Sequence, residues 1–120
     1  KMCLTDIDMV DIYKTDNLHW RWRVYNMLLG YQKMDSDEVG DVKRSRFSRW
    51  YYDKAPEDIR NTRIYKELEQ PNLEMHEAAK KAIVAFENGD IEKAEEALKK
   101  MDECSVKINS LLDELKTMLR

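Results

Sequence analysis

Helix-breaking residues are confined to a few points of this chain, and that restricts its fold. The three glycines and two prolines, Gly30, Gly40, Gly89, Pro56 and Pro71, fall where helices should stop or start, and the segments between them carry no breaker. Such punctuation predicts an all-α chain with nothing left over for a sheet.

The apolar spacing fills in the helices. Ile7, Val10, Tyr13, Trp20, Val24 and Met27 recur at helical intervals, predicting a first helix over residues 5–29 closed by Gly30. Asp35, Ser36, Asp37, Gly40 and Asp41 mark a loop, after which Asp41 is placed to cap a short helix whose Phe47, Trp50 and Tyr51 share one face. Pro56 is expected to open a second short helix through Ile59, Ile64 and Leu68, and Pro71 to occupy the first turn of the next long one, where its missing N–H costs nothing. That helix carries Leu73, His76, Ala79, Ile83 and Phe86 and should end at Gly89. Asp90 caps the last helix, whose stripe of Ile91, Ala94, Leu98, Met101, Ser105, Ile108, Leu112, Leu115 and Leu119 alternates steps of three and four. The expected architecture is an antiparallel bundle of three long helices plus two short crossing helices.

With 120 residues the chain has room for one domain, spanning 1–120, and one core. Its beginning at Lys1 and its end inside a helix at Arg120 fit excision from a longer chain. A hydrophobic share of 42% against 38% charged residues suits a folded, ion-rich domain, and no apolar run reaches the length of a membrane span. The expectation is a cytoplasmic module with no membrane insertion. A net charge of -3 gives no general attraction to a phosphate backbone, so no nucleic-acid partner is expected, and the cluster Lys43, Arg44, Arg46 and Arg49 reads as a solvated helix face. Cys3 and Cys104 lack the paired spacing of a zinc knuckle or disulfide framework and read as reduced packing residues.

Catalysis has no signature here: there is no Gly-rich phosphate loop, no His-Glu-x-x-His and no Gly-x-Ser-x-Gly, and the chain is not expected to be an enzyme. Glu92, Glu95, Glu96, Lys99 and Lys100 alternate as on a solvated helix face. By themselves, His19 and His76 read as half-buried, hydrogen-bonding side chains, and Trp20, Trp22, Trp50, Tyr51 and Tyr52 as core or interface aromatics.

Three segments say more when taken together: His19-Trp20-Arg21-Trp22-Arg23, Ser45-Arg46-Phe47-Ser48-Arg49-Trp50-Tyr51-Tyr52, and Pro71-Asn72-Leu73-Glu74-Met75-His76. In order and spacing they resemble the bacterial chemoreceptor zinc-binding domain, with its His-x-x-Trp and Trp-Lys/Arg-x-Arg, its Cys-x-Leu-Gly-Lys/Arg-Trp-Tyr-Tyr and its His-x-x-x-His. Flanking text such as Arg23-Val24-Tyr25-Asn26, Val39-Gly40-Asp41, Glu67-Leu68-Glu69, Met75-His76-Glu77-Ala78-Ala79 and Gly89-Asp90 extends the likeness over nearly the whole chain.

The resemblance implies a four-ligand zinc site at His19, position 45, position 72 and His76. Two ligand positions are retained, His19 and His76; two are substituted, with Ser45 in place of the cysteine and Asn72 in place of the first histidine of the last pair. A neutral hydroxyl and an amide oxygen are poor substitutes for a thiolate and an imidazole, so zinc is expected to bind weakly or not at all. Asp16, one turn before His19, is a further carboxylate candidate, either as a ligand or as an acceptor for the imidazole. The resemblance also implies a sensory or regulatory domain of a bacterial signalling protein, of chemoreceptor or diguanylate cyclase type, acting as a homodimer beside an attached or partner signalling domain. The competing expectation is a metal-free structural or dimerisation module.

Overall fold

The computed structural model describes residues 6–30 and 45–119. The chain is all-α, with no strand among the described residues. Helix α1, Asp6–Leu28, is followed by α2, Arg46–Arg49, which runs into a single π-turn, Trp50–Lys54. Then come α3, Glu57–Arg60, and the two long helices α4, Arg63–Glu87, and α5, Ile91–Leu119. Helices α4 and α5 form the most closely packed pair, and α1 lies along them.

The glycines end helices as their positions require. Gly30 and Gly89 have φ of 86° and 76°, a region costly for any residue with a Cβ. Among the described residues neither has a neighbour that an added Cβ would meet within 4 Å, and the positive φ by itself favours glycine. At the α4–α5 hairpin the Gly89 N–H bonds the Phe86 carbonyl at 3.0 Å and the Asp90 N–H reaches Ala85 at 2.8 Å, a Schellman closure. Asp90 Oδ1 then accepts from the Lys93 N–H and starts α5.

Two expected boundaries move. The short helix after Pro56 stops at Arg60, and a new helix starts at Arg63 because Thr62 caps it, its hydroxyl accepting from the Tyr65 N–H. That helix does not begin at Pro71; it passes through Pro71, which lies buried in its interior. The burial face explains this. Ile64, Leu68, Met75, Ala79, Ala82 and Ile83 are all buried along one continuous helical stripe, and tertiary packing outweighs the lost hydrogen bond at the proline. The expected Asp41 cap lies outside the described residues; α2 is started by Ser45, in an extended conformation.

The core is continuous from α1 to α5. Val10, Tyr13, Val24 and Met27 of α1 join Phe47, Trp50 and Tyr51, then Leu68, Met75 and Ile83 of α4, and Met101, Ile108, Leu112 and Leu115 of α5. The expected stripe of α5 is buried from Ala94 to Leu115, with Leu98 partly covered, whereas Ile91 is exposed. Aromatic rings pack α1 against α2 and the π-turn: Tyr13 meets Phe47 edge-on with ring centres 5.8 Å apart, and Trp50 at a tilt with ring centres 5.5 Å apart.

Between α1 and α5 the contact is also polar, in steps of about one turn. Lys116 pairs with Asp11 at 2.8 Å, Lys14 with Asp113, and Arg21 with Asp102 at 2.7 Å. Asn17, buried between these pairs, donates to Asn109 Oδ1 at 3.1 Å, and the Tyr25 hydroxyl donates to Asp102 at 2.7 Å. That hydrogen bond, together with burial, raises the Tyr25 phenol above its ordinary range.

Candidate functional site

The site grows from the first turn of α2. Four residues of helix cannot sustain themselves in water, so α2 depends on what holds its ends. Ser45 holds the first end: its Oγ accepts from the Ser48 N–H at 3.1 Å, the usual bond of a serine N-cap. The same hydroxyl donates to Ser48 Oγ at 2.9 Å. Asn72, on α4, donates its Nδ2 to Ser48 Oγ at 3.0 Å. Ser48 is 0% and Asn72 2% exposed, so the Ser48–Asn72 bond lies inside the protein, with Ser45 half-buried at the outer end of the chain.

His76 follows Asn72 by one turn and is buried on the same side of α4, its ring tilted against Trp20 at 4.8 Å. Trp20 of α1 therefore meets His76. His19, its neighbour, is exposed and stacks on exposed Trp22 at 5.9 Å. Contacts thus unite positions 45 and 72 through Ser48 and set His76 beside Trp20, while His19 stacks on the solvent side of α1. Asp16 is engaged by Arg46, whose Nε and Nη2 reach its two oxygens at 2.7 and 2.6 Å. This two-pronged bond, and the charge of Asp16, hold the guanidinium proton even more tightly than usual.

The far end of the segment is held by aromatic and cationic groups. The π-turn closes with the Ala55 N–H on the Trp50 carbonyl at 2.8 Å, and Arg60 donates to the carbonyls of Ala55 and Tyr52 at 2.7 and 3.0 Å. Tyr51 and Tyr65 stack at 4.1 Å, each hydroxyl donating to the other's backbone carbonyl. Burial, with the neighbouring Tyr65, raises the Tyr51 phenol strongly. Tyr52 donates to Glu69 at 2.8 Å. These three tyrosines are hydrogen-bonding struts for the short segment.

The chain matches the family described as Chemoreceptor zinc-binding domain over residues 18–83, more than half of its length and a span that includes His19, Ser45, Asn72 and His76. The chain belongs to that family. None of the curated proteins and none of the solved structures searched gives a match. A chemoreceptor zinc-binding domain is a sensory or regulatory part of a signalling protein, not a catalytic one. No helix among the described residues is long and apolar enough to cross a membrane.

The family implies zinc, and the donors here can be tested against it. Zinc takes four nitrogen, sulfur or carboxylate donors in a tetrahedron. Among the described residues no group of three or more His, Cys, Asp or Glu side chains is placed to hold a metal ion. The Ser45 oxygen already accepts a backbone N–H, and Asn72 turns its NH2 to Ser48. As arranged, these side chains do not fit the ion. Cys104 supplies no replacement: it is buried in α5, and burial pushes its thiol up, away from the thiolate. Cys3 lies outside the described residues.

Sequence reasoning missed Ser48, now the centre of the buried polar chain. Its signal was present as the second half of a Ser-x-x-Ser spacing, the interval at which an N-cap side chain meets the N3 residue.

Proposed function

We propose that this domain is the cytoplasmic sensory or regulatory part of a bacterial signalling protein, of chemoreceptor or diguanylate cyclase type, in which the zinc site has degenerated. The observation carrying this reading is the Ser45–Ser48–Asn72 hydrogen-bond chain, which occupies two of the four ligand positions in a chain that matches the family, with Phe47 and Ser48 standing where the resemblance has Leu-Gly. Zinc binding is weak or absent in such a site. The output is a helix rearrangement passed through the bundle to an attached or partner signalling domain. The working unit is a homodimer, supported by apolar Leu18 and Trp22, which are 52% and 57% exposed on α1, and by Leu29 just past its end, which is 69% exposed.

A competition titration against a chromophoric zinc chelator at neutral pH tests the reading. The protein as it stands should compete poorly. Ser45→Cys with Asn72→His should bind zinc tighter by orders of magnitude, because a thiolate and a third imidazole replace a hydroxyl and an amide and His19 is free to turn from Trp22. Each single change should gain less. Tight zinc in the unmodified protein, or no gain in the double variant, would overturn the proposal.

A further inference from the structure

Two sets of contacts leave the first turn of α2 in different directions. Arg46 reaches α1 through both oxygens of Asp16, at 2.6 and 2.7 Å. Ser48 reaches α4 through the Asn72 amide at 3.0 Å, and Ser45 ties into it at 2.9 Å. Together they link the three elements that carry the family's four ligand positions.

We propose that these contacts form a metal-independent clamp. Asp16–Arg46 and Ser45–Ser48–Asn72 cross-link α1, α2 and α4, the task a zinc ion would perform at those positions, and hold one arrangement of the three elements with no metal. The inference rests on the reading above that the zinc site has degenerated, and it adds which residues have taken over the structural part of its work.

The two arms differ in kind. The arm to α4 is buried, and a buried donor that loses its partner suffers the full desolvation penalty, so this arm resists opening. The arm to α1 lies at the surface, with the Arg46 side chain 60% exposed. Its two-pronged geometry gives it direction, but water and salt weaken it. Salt should therefore loosen α2 from α1 before it loosens α2 from α4.

The experiment is amide hydrogen exchange on the protein, read by mass spectrometry, first with a strong chelator and then with added zinc. Exchange across residues 9–28 and 46–54 should be the same in both. Ser48→Ala, which keeps the backbone N–H for the Ser45 cap, should speed exchange across residues 46–54 by about five- to a hundred-fold, the range for a buried donor left unpaired. Asp16→Asn should speed exchange around residues 12–20 by a smaller factor and abolish its salt dependence. The swap Asp16→Arg with Arg46→Asp should bring protection back.

If Ser48→Ala also exposes α4 and α5, the double variant Ser48→Ala with Asn72→Leu decides. Removing the stranded amide should restore protection of α4 and α5 and leave residues 46–54 fast. Unchanged exchange across residues 46–54 in both variants refutes the clamp. Zinc-dependent protection of the unmodified protein refutes the degenerate site instead, and the variants would still report on the clamp.

Discussion

Replacing Pro71 by alanine asks whether the α4 helix really passes through this residue. In a helix interior proline is less favourable than alanine by about 3 kcal/mol, since it lacks the N–H that would bond the carbonyl four residues earlier and its ring crowds that turn. Pro71 is buried, so Pro71→Ala also removes the γ and δ carbons from the core, a loss of about 1.6 kcal/mol at roughly 0.8 kcal/mol per buried CH2. The difference favours the variant by about 1.4 kcal/mol. With a urea slope of about 1–3 kcal/mol per molar, the unfolding midpoint followed by far-ultraviolet circular dichroism should rise by about 0.5–1.4 M. At the first turn of a helix the same proline would carry no penalty. The variant would then lose the buried carbons and about 0.4–1 kcal/mol of unfolded-chain restriction, and the midpoint would fall. A fall at unchanged slope refutes the continuous helix.

Thr62→Ala removes the cap at the start of α4 and should lower stability by about 1 kcal/mol, measured by the same urea titration, whereas Thr62→Ser should be nearly neutral. Burial, followed by the hydrogen bond to Glu69, pushes the Tyr52 phenol up to about 12 from an ordinary value near 10. A group raised in this way stabilises the fold fully below the unfolded value and loses that contribution as pH rises from about 10 to about 12. Native phenolate absorbance should therefore appear at higher pH than in urea, and stability should fall across that window; coincident titration curves would contradict the strut role.

Much of this fold was written in punctuation and spacing. Gly30, Gly89 and Asp90 ended and began helices as expected, because a positive φ and an orphan N–H each narrow the choice to a few residue types. Pro71 misled because a local penalty was read without the buried stripe that outweighs it. Thr62 was passed over because a threonine cap looks like any other threonine until the following helix is known. At the site, Ser45, Asn72 and His76 could be singled out from their flanking residues, but the side chains they meet could not. Asp16 looked like a carboxylate for a metal, yet it faces Arg46, thirty positions away in sequence. The Ser-x-x-Ser spacing signalled Ser48 as a partner of the Ser45 cap but not its bond to Asn72, since the meeting of α2 and α4 depends on packing between distant segments.

The polar steps between α1 and α5 also govern alignment. Asp11 faces Lys116 and Lys14 faces Asp113 along antiparallel helices. Slipping α1 by about one turn in one direction would set Asp11 against Asp113; slipping it the other way would set Lys14 against Lys116. Like charges so placed repel, and both offsets are disfavoured for the same reason that the observed one is favoured. The alternating signs act as a key with a single seat: they add to the packed core in holding α1 at one alignment along the α4–α5 hairpin and disfavour a slip by a turn in either direction.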